Sequence, residues 1–161
     1  MAPAAQYLDT ALKEGQPPSQ VSAWLKQNVQ PGQLQTPEAA RTMMRALLTH
    51  YSAPGAAAQL KKYAAVAVEL YGGESDAQLK LQLSMVHEIV LFCDELKFEA
   101  GLVKRLFHAV YEYDMILEDT FVAWQEDPEE VQGKRQALLH ANPFLQWLAT
   151  ADEEDDSDDD A

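Results

Sequence analysis

Four histidines, one cysteine and several adjacent carboxylates are the side chains here equipped for metal binding, nucleophilic attack or proton transfer. His50, His87, His108 and His140 have no metal-ligand spacing among themselves. His87-Glu88 opens like a zinc-binding helix but lacks a second histidine four residues beyond His87. A structural or surface role outweighs a metal site. Cys93 lies in LFCDEL on an apolar row with no basic neighbour in sequence, which suits a buried, inert thiol better than a nucleophile. As the sole cysteine it rules out an intrachain disulfide and fits a reducing compartment. Gly72-Gly73 reads as a helix stop, not a phosphate-binding loop. Glu118-Asp119 has the groups of a general acid and base. Nothing in the sequence desolvates the pair, and solvated carboxylates keep ordinary pKa values. The expectation is a chain without catalysis, metal or cofactor.

The carboxylates are unusual in their distribution. Residues 1–111 hold 10 acids and 10 bases, whereas residues 112–161 hold 16 acids and 2 bases, so the net charge of −14 lies in the last third. Those acids are interleaved with the largest aromatics. One cluster is Tyr111, Tyr113, Met115, Ile116, Leu117, Phe121 and Trp124. The other is Phe144, Leu145, Trp147 and Leu148. A surface of this sign repels phosphates and argues against nucleic acid as a direct partner. It favours a basic protein segment. Both tryptophans have the burial tendency of core anchors, and so does the Met43-Met44 pair.

The elements that must position these residues read as helices. With 161 residues and an apolar fraction of 47%, the chain has the material for one well-packed domain. No segment alternates with period two. Residues 3–14 form an amphipathic stretch closed by Gly15. Ser19 can cap a second helix that ends before Pro31-Gly32. Thr36-Pro37-Glu38 starts a third, with a hydroxyl cap, proline in the first turn and an acid at the positive dipole end. That helix ends near Pro54-Gly55. AAAQLKKYAAVAVELYGG is a fourth. Ser75-x-x-Gln78 has the form of a capping box for a helix reaching about Cys93, apolar on more than one face and therefore central. Val103, Leu106, Phe107 and Val110 define the next. Leu117, Phe121 and Trp124 share one side of the following short helix, with Glu118, Asp119 and Glu126 pointing away. In the last helical region Pro143 lacks the amide hydrogen and crowds the carbonyl of Leu139. A break or kink is expected there, with Asn142 capping a new turn. Beyond Ala151, eight acids in nine residues read as a disordered tail. The expected organisation is an all-α, HEAT-like stack of antiparallel helix pairs, about eight helices over 3–151, with the tail at 152–161. No signal peptide or membrane span is apparent, and a monomer in the cytoplasm is expected.

YDMILEDTFVAWQED, followed by Gly133-Lys134 and then FLQWLATADEEDDSDDD, resembles the two acidic-aromatic boxes of a known family. This is the two-tryptophan C-terminal domain of eukaryotic translation initiation factors. Its members include initiation factor 5, the epsilon subunit of factor 2B, and factor 4 gamma with its short paralogue. The likeness is greatest to the 4 gamma group and covers about Leu102 to the chain end. It implies a HEAT-like fold and a scaffold role in translation initiation. It also implies partners with basic segments, either the Lys-rich tail of initiation factor 2 beta or a MAP-kinase-interacting kinase. The box positions fall on Glu118, Asp119, Phe121 and Trp124, then on Phe144, Trp147, Glu153 and Glu154. Two departures stand out. Pro143 interrupts what is a continuous final helix in relatives, and Lys134-Arg135-Gln136 stands where relatives often have Gly-Lys-Gly.

Resemblance and charge together select the candidate partner-binding residues. They are the eight box positions with Glu112, Asp114, Glu126, Asp127, Glu129, Glu130, Asp152 and Asp155. Ser157, with acids at +1, +2 and +3, is a candidate for an acid-directed kinase. The alternative function is nucleotide exchange or regulation on the GTPase initiation factor 2, as in the epsilon relative. A generic acidic adaptor is a third reading.

Overall fold

The computed structural model describes residues 2–49, 56–129 and 131–159, with residues 2, 56–59 and 151–159 described by backbone alone. Among the described residues there are nine helices and no strand. They are α1 (Ala2–Glu14), α2 (Pro18–Asn28), α3 (Pro31–Leu34), α4 (Pro37–Thr49), α5 (Ala56–Tyr71), α6 (Asp76–Glu95), α7 (Leu102–Glu112), α8 (Glu118–Glu126) and α9 (Lys134–Asp159). Helices α1, α4, α6 and α8 pack side by side in one layer, and α2, α5, α7 and α9 in a second. The pairs α1/α2, α4/α5, α6/α7 and α8/α9 join the layers, giving the expected HEAT-like stack.

Local chemistry explains most boundaries. Thr36 Oγ1 accepts from the amide of Ala39 at 3.2 Å, the expected cap of α4. Ser75 Oγ likewise accepts from the Gln78 amide at 3.2 Å. The reciprocal half of the capping box is not formed, because the Gln78 side chain turns away to the carbonyls of Leu70 and Gly72. Helix α2 starts from Pro17 rather than from a Ser19 cap, since Pro18 already fits the first turn. The Pro31-Gly32 turn is itself the short helix α3, which raises the count above eight.

Of the break or kink expected at Asn142-Pro143, the break does not occur: α9 is one helix with Pro143 inside it. The carbonyl deprived of its donor belongs to Leu139, a residue 71% exposed, where water can serve as partner. Its backbone continues as helix to Asp159, across the boundary at residue 152 drawn from composition.

The core runs through both layers. Helix α6 is buried on several faces, by Met85, Val86 and Ile89 among others, as its two apolar rows require. Arg45 of α4 ties the layer together by donating from Nε to Glu88 at 2.7 Å and from Nη1 to Glu95 at 2.6 Å. Cys93 is fully buried, and burial pushes its thiol up to about 12, so it is no nucleophile at neutral pH. Among the described residues no helix is long and apolar enough to cross a membrane.

Candidate functional site

The apolar side of α8 is driven inward by packing among large rings. Phe107 lies 5.2 Å from Phe121, 5.3 Å and edge-on from Trp124, and 6.1 Å from Phe144, centroid to centroid. Phe121 and Phe144 meet at 5.2 Å. These contacts join α7, α8 and α9, and Phe107, Phe121 and Trp124 are inaccessible to solvent. The start of α8 is fixed by a buried residue that apolar periodicity passed over. Gln82 Oε1 accepts from the amide of Leu117 at 3.0 Å and from Thr120 Oγ1 at 2.8 Å. Its Nε2 donates to the carbonyls of Tyr71 and Gly73. A glutamine inside two apolar rows signals such a network only once its neighbours are known.

With the rings inside, the carboxylates face out. Glu112, Asp114, Asp119, Glu126 and Glu129 are exposed, and Glu118 and Asp127 are half-buried. A cleft of about 510 Å³ opens where α7 meets α8, lined by Glu74, Glu112, Asp114, Glu118 and Asp119 around Tyr111, Ile116 and Leu117. Asp114 is set into this rim by a left-handed backbone, φ 62°, at the end of α7. Among the described residues that line the cleft there is no lysine or arginine. Glu74 was not among the sequence candidates. It follows the Gly72-Gly73 stop, 38 to 45 residues before the other acids of the cleft, and only the stacking of layers brings it there.

The aromatic candidates divide. Phe121, Trp124 and Phe144 have no surface to offer a partner, so they act as supports that hold the acidic face in place. Trp147, read as a core anchor, is 45% exposed. It leans on His108 at 5.2 Å and on Tyr111 at 5.9 Å, on the outer side of α7. Glu130 lies outside the described residues, as do the side chains of Asp152, Glu153, Glu154, Asp155 and Ser157. Among the described residues no cluster of three or more histidine, cysteine or acidic side chains could hold a metal ion. Buried His87 is held below its ordinary pKa, first by desolvation and then by Arg41.

Residues 81–158 match the family model described as W2, eIF4-gamma/eIF5/eIF2-epsilon. The chain carries a W2 domain. The match takes in α6 to α9, and so begins earlier than the resemblance at Leu102. Over 76 residues, 47% of this chain, it is 38% identical to eukaryotic translation initiation factor 4 gamma 2 of Homo sapiens, of which that stretch is 8%. Over 160 residues, 93% of this chain, it is 30% identical to factor 4 gamma 1 of Mus musculus, covering 10% of that protein. Factor 4 gamma 3 of Mus musculus is 26% identical over 143 residues, 81% of this chain and 8% of that protein. The chain thus spans a tenth or less of the length of these relatives. In the W2 domain described here, both boxes place aromatics around Phe107, and the first arrays its acids on the open side.

Proposed function

We propose that this chain is a non-catalytic protein-interaction domain of translation initiation that recruits a basic partner through its acidic face. The observation that supports this most is the cleft at the α7–α8 junction, where five carboxylates converge with no lysine or arginine among the lining residues. Such a site suits a lysine or arginine side chain. Glu126, Asp127 and Glu129 at the far end of α8 offer a second group of acids. The nine-residue helix α8 carries members of both groups at its two ends, about 10 Å apart, which favours an extended Lys-rich segment over a single cation. The family resemblance points to the tail of initiation factor 2 beta or to a MAP-kinase-interacting kinase. In this reading residues 3–151 are a monomeric domain in the cytoplasm. Residues 152–161 are an acidic extension of it, in which Asp152, Glu153, Glu154 and Asp155 add to the attraction and phosphorylation of Ser157 strengthens it at low salt.

The test is to replace Glu118, Asp119, Glu126, Glu129 and Glu130 together with lysine and to titrate the variant against a Lys-rich peptide. Binding should be abolished with helical circular dichroism intact, and wild-type affinity should fall as salt rises. Unchanged affinity in the variant refutes the acidic-face reading. Accelerated nucleotide release from initiation factor 2 by the wild-type chain would favour exchange activity instead.

A further inference from the structure

Lys134 is one of only two bases in the last fifty residues and, among the described residues, the only buried lysine or arginine. It is 6% exposed. Its Nζ donates to the carbonyl of Asp127 and lies 3.5 Å from that of Glu129. The same ammonium sits 5.9 Å from the centre of the Trp124 ring. Three features are therefore met by one cation: the negative dipole end of α8, two carbonyls of the α8–α9 connection, and the face of the buried tryptophan.

The connection needs such a clamp. Glu126, Asp127 and Glu129 crowd into four positions, and like charges at that spacing repel. The Lys134 backbone is itself anchored. Gly133 has φ +82°, and a Cβ there would meet Phe98 at 3.1 Å and Asp94 at 3.2 Å, so glycine alone lets this turn press against α6. Next to it, Gln132 Nε2 donates to Asp94 at 2.7 Å. The Gly133-Lys134 pair is thus a fixed post driven from α6, with the acidic connection hung from its ammonium.

We propose that Lys134 is a positioning residue, holding Asp127 and Glu129 in the arrangement that a basic partner reads. This rests on the reading of the acidic face given above. It makes a prediction opposite in sign to simple electrostatics. Removing a cation from an acidic domain should tighten binding to a Lys-rich peptide if charge alone counts. If Lys134 positions the acids, its removal should weaken binding.

The experiment uses the whole chain and a fluorescent peptide of consecutive lysines, comparing wild type with Lys134→Met, Lys134→Arg and Arg135→Gln. Met keeps an unbranched apolar side chain and removes the donor, and Arg135→Gln removes the neighbouring, exposed charge. Lys134→Met should bind about tenfold more weakly, the scale of a lost hydrogen bond to a charged group. Lys134→Arg should recover most of that loss, and Arg135→Gln should bind equally or more tightly. Hydrogen exchange in 127–133 should quicken in Lys134→Met alone. Unchanged or tighter peptide binding by folded Lys134→Met overturns the proposal. Should wild type fail to bind the peptide, the acidic-face reading falls, and unchanged exchange in 127–133 then overturns the clamp separately. Should Lys134→Met fail to fold, the wild-type ammonium resonance decides. Slow proton exchange at Lys134 Nζ relative to other lysines supports the clamp, and equal exchange refutes it.

Discussion

Trp124 and Trp147 sit in stretches of similar composition, each a large ring beside acids, yet the fold treats them oppositely. Trp124 is sealed, edge-on to Phe107 and under the Lys134 ammonium, whereas Trp147 rests half-exposed against His108 and Tyr111. The difference comes from which side of its helix each ring occupies, since α8 and α9 both end a layer. Trp124 lies on the side of α8 that meets Phe107 of α7. Trp147 lies on a side of α9 that meets only the exposed His108 and half-buried Tyr111 of α7 and its own neighbour Phe144. The same composition thus gives a structural anchor in one place and an accessible ring in the other.

That contrast can be broken most directly by truncating each ring. Trp124→Ala should cost about 3–5 kcal/mol, because it empties a packed interior site. Trp147→Ala should cost about 1 kcal/mol, because roughly half of its surface is already in water. Thermal melting of the two variants decides, and equal shifts would erase the distinction. An effect between the two is expected from Gln82→Leu, about 2 kcal/mol, since it strands the buried Tyr71 carbonyl and Thr120 hydroxyl and removes the partner of the Leu117 amide. It should also loosen the start of α8 and the acidic cleft, visible as faster exchange of the Leu117 amide. Trp147 should be indifferent to it.

The smallest effect is one of pH. Buried His87 has a depressed pKa in the fold, with Arg41 and Lys134 opposing its charge and Asp127 and Glu129 favouring it. The unfolded chain therefore takes up the proton first. Stability is full above the unfolded histidine value, near 6.5, and falls as pH drops through it toward the lower folded value. Melting temperature followed from pH 7.5 to 5 should decline, and His87→Gln should flatten that decline. An equal slope in both would assign the acid sensitivity to other groups.

Much of the fold was legible because its causes are local. The Thr36 and Ser75 caps, the glycine stops and the apolar rows of α6 and α7 are written within a few residues of where they act. Pro143 does not break its helix, for an instructive reason. The cost of proline in a helix depends on whether the stranded carbonyl meets water, and the exposure of Leu139 is a tertiary fact. The placement of Glu74, Gln82 and Lys134 was likewise not legible, because each acts on partners distant in sequence or on the main chain of a turn.

The sequence by itself determined that the chain is helical, that its surplus charge is negative and confined to the last fifty residues, and that two aromatic clusters accompany that charge. These follow from periodicity and composition, which act residue by residue. Only the tertiary structure decided which ring is sealed and which is open, which carboxylates converge on one cleft, and where the buried Lys134 ammonium rests. Burial and convergence depend on which helices become neighbours, and that is settled by the packing of the whole stack rather than by any one stretch of it.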